Sequence, residues 1–330
     1  MSLFSELKRR NGLYLRPLHH RSWRRHCYLT STMRVDTHQY HSWLAIACLY
    51  LSCVSNGLAS VDICQEPTAD SHLSIAYQKH EKSSFERGLG ETRQENFEFD
   101  LQFDLNNKWA IGAGHRYTIL NVDGLELQTN GHLHTFFIPL HRVSQAEGKR
   151  FRFSIAPALS ASSNVMKDPG GYSADALQLL VALVWNRQVS AQLGFRYGIC
   201  GDQRFGSYRI YPLVSIDRQL HPDWNMELGF PITRISYRIS KNLVSSLQIA
   251  PDGNEWYVAD QDLRKKSKLV YKSYALEWAF DWRAHEHLSL TASVGIQFDN
   301  RYELTLFDDS RDSVSGESVT RIGTAFVWNF

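Results

Sequence analysis

The sequence lacks any run near 18 uncharged apolar residues in its 330, and its mean hydropathy is −0.35. A bundle of membrane-spanning helices is therefore excluded. It also has little net charge. The formal +2 comes from the first 59 residues, where eight Lys/Arg stand against Glu6 and Asp36, and the remainder carries −4. No nucleic-acid partner follows from that balance. With 43% apolar, 12% aromatic and 21% charged residues, the composition instead supports a large ordered fold.

Signatures of soluble enzymes are missing too. Gly88-Leu-Gly90 lacks a following helix and the Gly-Lys-Ser/Thr of a phosphate loop. Asp168-Pro-Gly-Gly171 and Pro251-Asp-Gly253 read as turns, with glycine supplying positive φ. No Gly-x-Ser-x-Gly advertises a serine hydrolase. His132 and His134 share a strand face and can begin a metal site, but His141 falls on the other face and no third ligand is identifiable. Neither a metal nor another cofactor is expected.

What is present begins with a leader. Basic residues precede the apolar stretch Trp43–Val54, which ends in Gly57-Leu58-Ala59, the layout of a cleavable secretory signal over residues 1–59. The 32 residues before Met33 are surplus to such a signal, so Met33 is the expected start. Cleavage after Ala59 leaves two of the five cysteines, Cys64 and Cys200. An exported protein can pair them, although one lies near the mature N-terminus and the other at the far end of a predicted strand.

From about residue 71 the pattern alternates. Phe97, Phe99, Leu101, Phe103 and Leu105 share one face of a strand, with Glu98, Asp100, Gln102 and Asp104 on the other. The same period recurs in Phe151–Leu159, Tyr274–Trp282 and Leu288–Phe298, and more weakly in 109–119, 177–185, 191–199 and 208–217. These lengths match tilted strands crossing a bilayer. Short turns such as Asn106-Asn107 and Ser240-Lys241-Asn242 alternate with long polar stretches at 80–93, 162–174, 252–268 and 308–317. Transmembrane barrels show that asymmetry, with the long loops outside the cell. A soluble sandwich would alternate likewise, and the leader and terminal strand separate the two. Arg321, Gly323, Phe326, Trp328 and the final Phe330 resemble the β-signal that addresses barrels to the outer-membrane assembly machinery.

The segments Pro212–Gln219, Trp224–Pro231, Arg234–Arg238 and Gly295–Tyr302 resemble a family of bacterial outer-membrane β-barrel proteins of unknown function. The resemblance spans about residues 70 to 330. It implies the fold and the location, and brings no catalytic residues.

The expectation is thus an all-β protein: a periplasmic segment at 60–70, then one up-and-down antiparallel transmembrane barrel at 71–330. Twelve strands are favoured in a range of 10–14, because the pieces flanking Pro231 are short and proline removes a ladder donor. The polar faces carry Glu98, Asp100, Asp104, Glu227, Glu277 and Asp281, together with Arg116, Arg152, Arg196, Arg234, Arg238 and Arg321. These either form a selective constriction or pair and fill the lumen. A pore or facilitator for a small solute in the lipid bilayer is the leading reading. A lipid-modifying enzyme at the outer leaflet, where His115 would face the headgroup boundary, and a structural or receptor barrel are the alternatives.

Overall fold

The computed structural model describes residues 63–65, 71–85, 90–122, 131–146, 148–167, 174–259, 266–305 and 311–330. The leader, Met33, Gly88 and the Asp168–Gly171 turn lie outside the described residues.

Fourteen strands follow one another: β1 (His72–His80, resuming as Ser83–Ser84), β2 (Glu91–Asn106), β3 (Trp109–Val122), β4 (His132–Phe137 and Leu140–Ala146), β5 (Lys149–Ser162), β6 (Leu177–Ser190) and β7 (Leu193–Asp202); then β8 (Arg209–His221), β9 (Trp224–Phe230), β10 (Thr233–Ser240), β11 (Leu243–Ala259), β12 (Lys266–His285), β13 (Leu288–Thr305) and β14 (Arg311–Gly316 and Val319–Asn329). A short helix, α1 (Ser163–Lys167), follows β5. Each strand pairs antiparallel with its sequence neighbours, and β1 closes on β14 from His72↔Asn329 to His80↔Arg321. Six two-residue turns and both chain ends of the barrel share one rim, the periplasmic one, and the longer connections share the other with the short Pro231–Ile232 link.

The Pro231 region decides the strand count. β9 and β10 pair with each other from Trp224↔Tyr237 to Glu227↔Arg234, and each also pairs with its outer neighbour, β8 or β11. They are short but belong to the wall, so the barrel has 14 strands rather than the favoured 12. Pro231 sits between them in the turn, where no ladder donor is needed.

Polarity runs inside out. Ile75, Phe97, Phe99, Trp278, Val294 and Trp328 are exposed on the outer surface, whereas Gln78, Asn96, Glu277, Gln297 and Arg321 are buried. In water that exposed apolar belt would be a severe cost; facing hydrocarbon it is the stable arrangement. The chain is an outer-membrane β-barrel, as the alternation, the leader and the terminal strand together implied.

Most strands run past the lengths expected from alternation, and β11, β12 and β13 reach 17, 20 and 18 residues. Their outer ends do not stay in the wall. Irregularities line up on neighbouring strands: Ser273 on β12 opposite the positive-φ Asp299 of β13, the break at 317–318 in β14 and the break at 81–82 in β1, with Pro251–Gly253 of β11 at the same level, paired in unbroken register with β12. Beyond this line, consecutive residues of β11 from Gly253 to Ala259 are buried on both faces, as are Leu269, Val270 and Tyr271 of β12. The β11–β12 hairpin bends inward there. Gly253 permits the bend, because a Cβ at that position would lie 2.6 Å from the Gly206 nitrogen and 2.9 Å from the Arg204 carbonyl.

Candidate functional site

Eight strands make a barrel that side chains alone can fill, while 16 or more leave an aqueous channel. A 14-stranded lumen therefore needs additional pieces to close it, and this chain supplies two.

The first is the inward hairpin. Tyr257 of β11 bridges in parallel to Ala161 at the end of β5, six strands away around the barrel. Asn254 donates to Thr135 Oγ1 of β4 at 3.1 Å, and Gln178 of β6 donates to the Glu255 carbonyl at 3.3 Å. One face of the hairpin, with Trp256, Val258, Leu269 and Tyr271, packs on Phe85, Leu120 and Leu133. The other sets Tyr257 and Ala259 against Ala161, Val165 and Ala176. Of the stretch 252–268, expected as an outer loop, the described residues 252–259 and 266–268 are strand, and Tyr257 reaches across the lumen to β5.

The second piece is Ile63–Gln65, from the segment the sequence placed in the periplasm. Ile63 and Cys64 pack against Phe137, Ala156, Leu180, Val184 and Leu213 on the inner wall. Cys64 is disulfide-bonded to Cys200 of β7, with Cα atoms 5.9 Å apart. Arg152 donates to the Cys64 carbonyl at 3.0 Å and to that of Gln65. The bridge that chain position argued against forms because Ile63–Gln65 sit inside the barrel against the inner wall. Among the described residues, the one cluster of potential metal ligands is Cys64, Cys200 and Asp202, and the bonded cysteines have no thiolate to offer.

Between these pieces lies a polar cavity of about 130 Å³, whose lining includes Glu98, Arg116, Arg204, Arg234, Asp252 and Arg321. At its centre Arg321 donates to Glu277 at 2.6 Å and to Asp252 at 3.0 Å. Gln297 donates to Asp252 at 3.0 Å and to Ser273 at 2.8 Å, and Ser273 donates to the Asp252 carbonyl at 2.8 Å. This network grips the hairpin where it leaves the wall. Elsewhere, Glu98 pairs with Arg116 at 2.7 Å and Asp202 with Arg204 at 2.8 Å. Arg234 instead donates both of its bonds, 2.7 and 3.0 Å, to the neutral Gln248.

Toward the periplasm Arg196 pairs with Glu227 at 2.8 Å, and a second cavity of about 320 Å³ opens among Asp217, Trp224, Ser236 and Arg238. The remaining residues expected in the lumen scatter. Asp100 pairs with His72 at 3.1 Å, Asp281 contacts Thr291, Arg152 serves the N-terminal segment, and Asp104 is exposed at the periplasmic rim. In the last strand, β14, Arg321 points inward, while Ile322, Trp328 and Phe330 are exposed on the outer face. Sequence reasoning missed Asp252, hidden in an apparent turn, and Gln297 and Gln248, uncharged members of polar faces. His132 and His134 share the outer face of β4 as expected, and His141 is buried on the inner one against Ser154 at 2.8 Å.

No protein-family model matches the chain, and the search of curated proteins found no match. Solved structures similar to it include an outer membrane channel from Pseudomonas putida F1, with a TM-score of 0.44 and 6% identity over 83% of this chain and 100% of that one. The KdgM porin in complex with oligogalacturonate scores 0.36 at 9% identity over 78% and 99% of the two chains. The Pseudomonas putida toluene transporter TodX scores 0.35 at 10% identity over 80% and 90%.

Proposed function

We propose that this barrel is a gated route for a small polar solute carrying negative charge, with the β11–β12 hairpin as the gate. The observation that carries the reading is the cavity beneath the hairpin, where Arg234 gives its hydrogen bonds to the neutral Gln248 and feels Glu277 and Asp281 only through space, while Arg116, Arg204 and Arg321 each pair directly with a carboxylate. A guanidinium set opposite a neutral acceptor is ready to receive a carboxylate in a bidentate pair. At about 30 Å³ per water, a volume of about 130 Å³ suits a solute of a few heavy atoms.

Planar-bilayer recording tests the reading. The intact protein should show a low resting conductance, and replacing residues 254–270 by a short Gly-Ser turn should open a steady one. Arg234→Ser in the opened form should reduce its preference for anions. A shortened barrel that stays closed and admits no small carboxylate into liposomes would instead mark a structural barrel.

A further inference from the structure

The outer wall carries a hydrogen-bonded chain of side chains that the lumen does not use. Alternation directs His115 and Tyr117 of β3 outward, and the registers Tyr117↔His134 and His115↔Phe136 set them beside the outward residues of β4. Ser163, the first residue of α1, places its Oγ 2.8 Å from Nε2 of His134. On the other side of that ring, Nδ1 of His134 lies 3.1 Å from Nε2 of His115. With the His134 proton on Nδ1 and donated to His115, Nε2 is free to accept the serine proton. That is the polarity of an activated nucleophile: hydroxyl, base and orienting acceptor in sequence.

Both rings are held flat. His115 stacks on Phe136 with centroids 4.1 Å apart and planes 3° apart, and His134 stacks on Tyr117 at 4.8 Å. The depth of the group is also marked. Tyr77, Phe97 and Tyr117 form a row of outward aromatics at the same level, with centroid spacings of 4.7 and 6.0 Å. On one side of the row the outer face continues as Phe99 and Phe103, and on the other as Lys79, Glu95 and Arg93. Such a row is the aromatic girdle of a barrel, and it sits where acyl chains meet headgroups. Lipid ester linkages occupy that same level.

We propose that Ser163, His134 and His115 form an acyl-ester hydrolase site on the outer surface of the barrel, acting on a long-chain acyl ester of an outer-leaflet lipid. Ser163 Oγ attacks the ester carbonyl carbon as its proton passes to His134 Nε2. The ester C–O bond breaks, and the leaving alcohol takes that proton. Water then gives a proton to His134 and attacks the acyl-serine, releasing the fatty acid and restoring the serine hydroxyl. His115 is a positioning residue that holds the His134 tautomer.

The test uses the full chain folded in micelles, with heat-modifiable migration confirming the fold. The folded protein should hydrolyse p-nitrophenyl palmitate and take a fluorophosphonate label on Ser163. Ser163→Ala and His134→Ala should each lower the rate by about 100-fold or more while the barrel stays folded. His115→Gln should lower kcat at unchanged KM and displace the acid limb of the pH–rate profile. Fatty acid released from phosphatidylethanolamine vesicles, or from vesicles containing lipopolysaccharide, identifies the source of the ester. A folded wild type that neither hydrolyses nor labels, or a rate that survives Ser163→Ala, overturns the proposal. Ser163→Ala removes only the hydroxyl aimed at His134 and keeps the Val165 contact with the hairpin, so conductance should be unchanged and this site and the gated route fail independently.

Discussion

Arg321 is a guanidinium shut inside the barrel, with its side chain and that of Glu277 each 1% exposed. Two carboxylates share it, and removing it would leave the buried Glu277 beside the part-exposed Asp252 without their cation. Arg321→Met should therefore cost about 3–5 kcal/mol, the usual penalty for breaking a buried pair, read as a shift in urea unfolding of the protein in lipid vesicles. Arg321→Lys keeps the charge but loses the fork that spans both acids, and should cost less. Two of these three residues were legible in the sequence, since Arg321 and Glu277 lie on alternating strands whose parity assigns them inward. Asp252 was not: Pro251-Asp-Gly253 has the local chemistry of a turn, and only the strand pairing Asp252↔Ser273 shows that the ladder continues through it.

At the scale of elements, the inward hairpin is the decisive feature. It is held by apolar packing on both faces and by the bridge between Tyr257 and Ala161. A Tyr257→Cys, Ala161→Cys pair should lock it across the lumen, and bilayer recording should then show the resting conductance abolished under oxidation and restored by reductant. Its sequence did carry a signal. Trp256-Tyr-Val-Ala259 and Leu269-Val-Tyr271 are apolar or aromatic at both parities, which a strand with one polar face cannot be. Unbroken apolar runs of that kind mark strands covered on both sides. The polar residues around them made the segment read as loop.

For the whole molecule, the central property is an outer surface solvated by hydrocarbon. On β13, Val294 lies midway between Leu290, opposite Trp282, and Phe298, which stacks on Tyr274 at 6.0 Å. Val294→Arg should thus place a charge near the bilayer midplane and destabilise the folded barrel by about 2–4 kcal/mol, while Tyr274→Arg at the girdle should cost about 0–1 kcal/mol. Equal effects in vesicle unfolding would contradict the depth assigned to each residue.

Local alternation determined on its own that this chain forms strands and which residues share a strand face, because the side-chain period of two depends only on neighbouring residues; the leader and the terminal strand then turned the apolar face toward lipid. It could not say what fills the lumen. Whether Arg321 meets Asp252, whether Cys64 reaches Cys200 and whether the β11–β12 hairpin stands up or folds inward depend on contacts between strands far apart in the chain. Those contacts exist only once 14 strands have closed and left a space too wide for wall side chains to fill, so only the tertiary structure decided them.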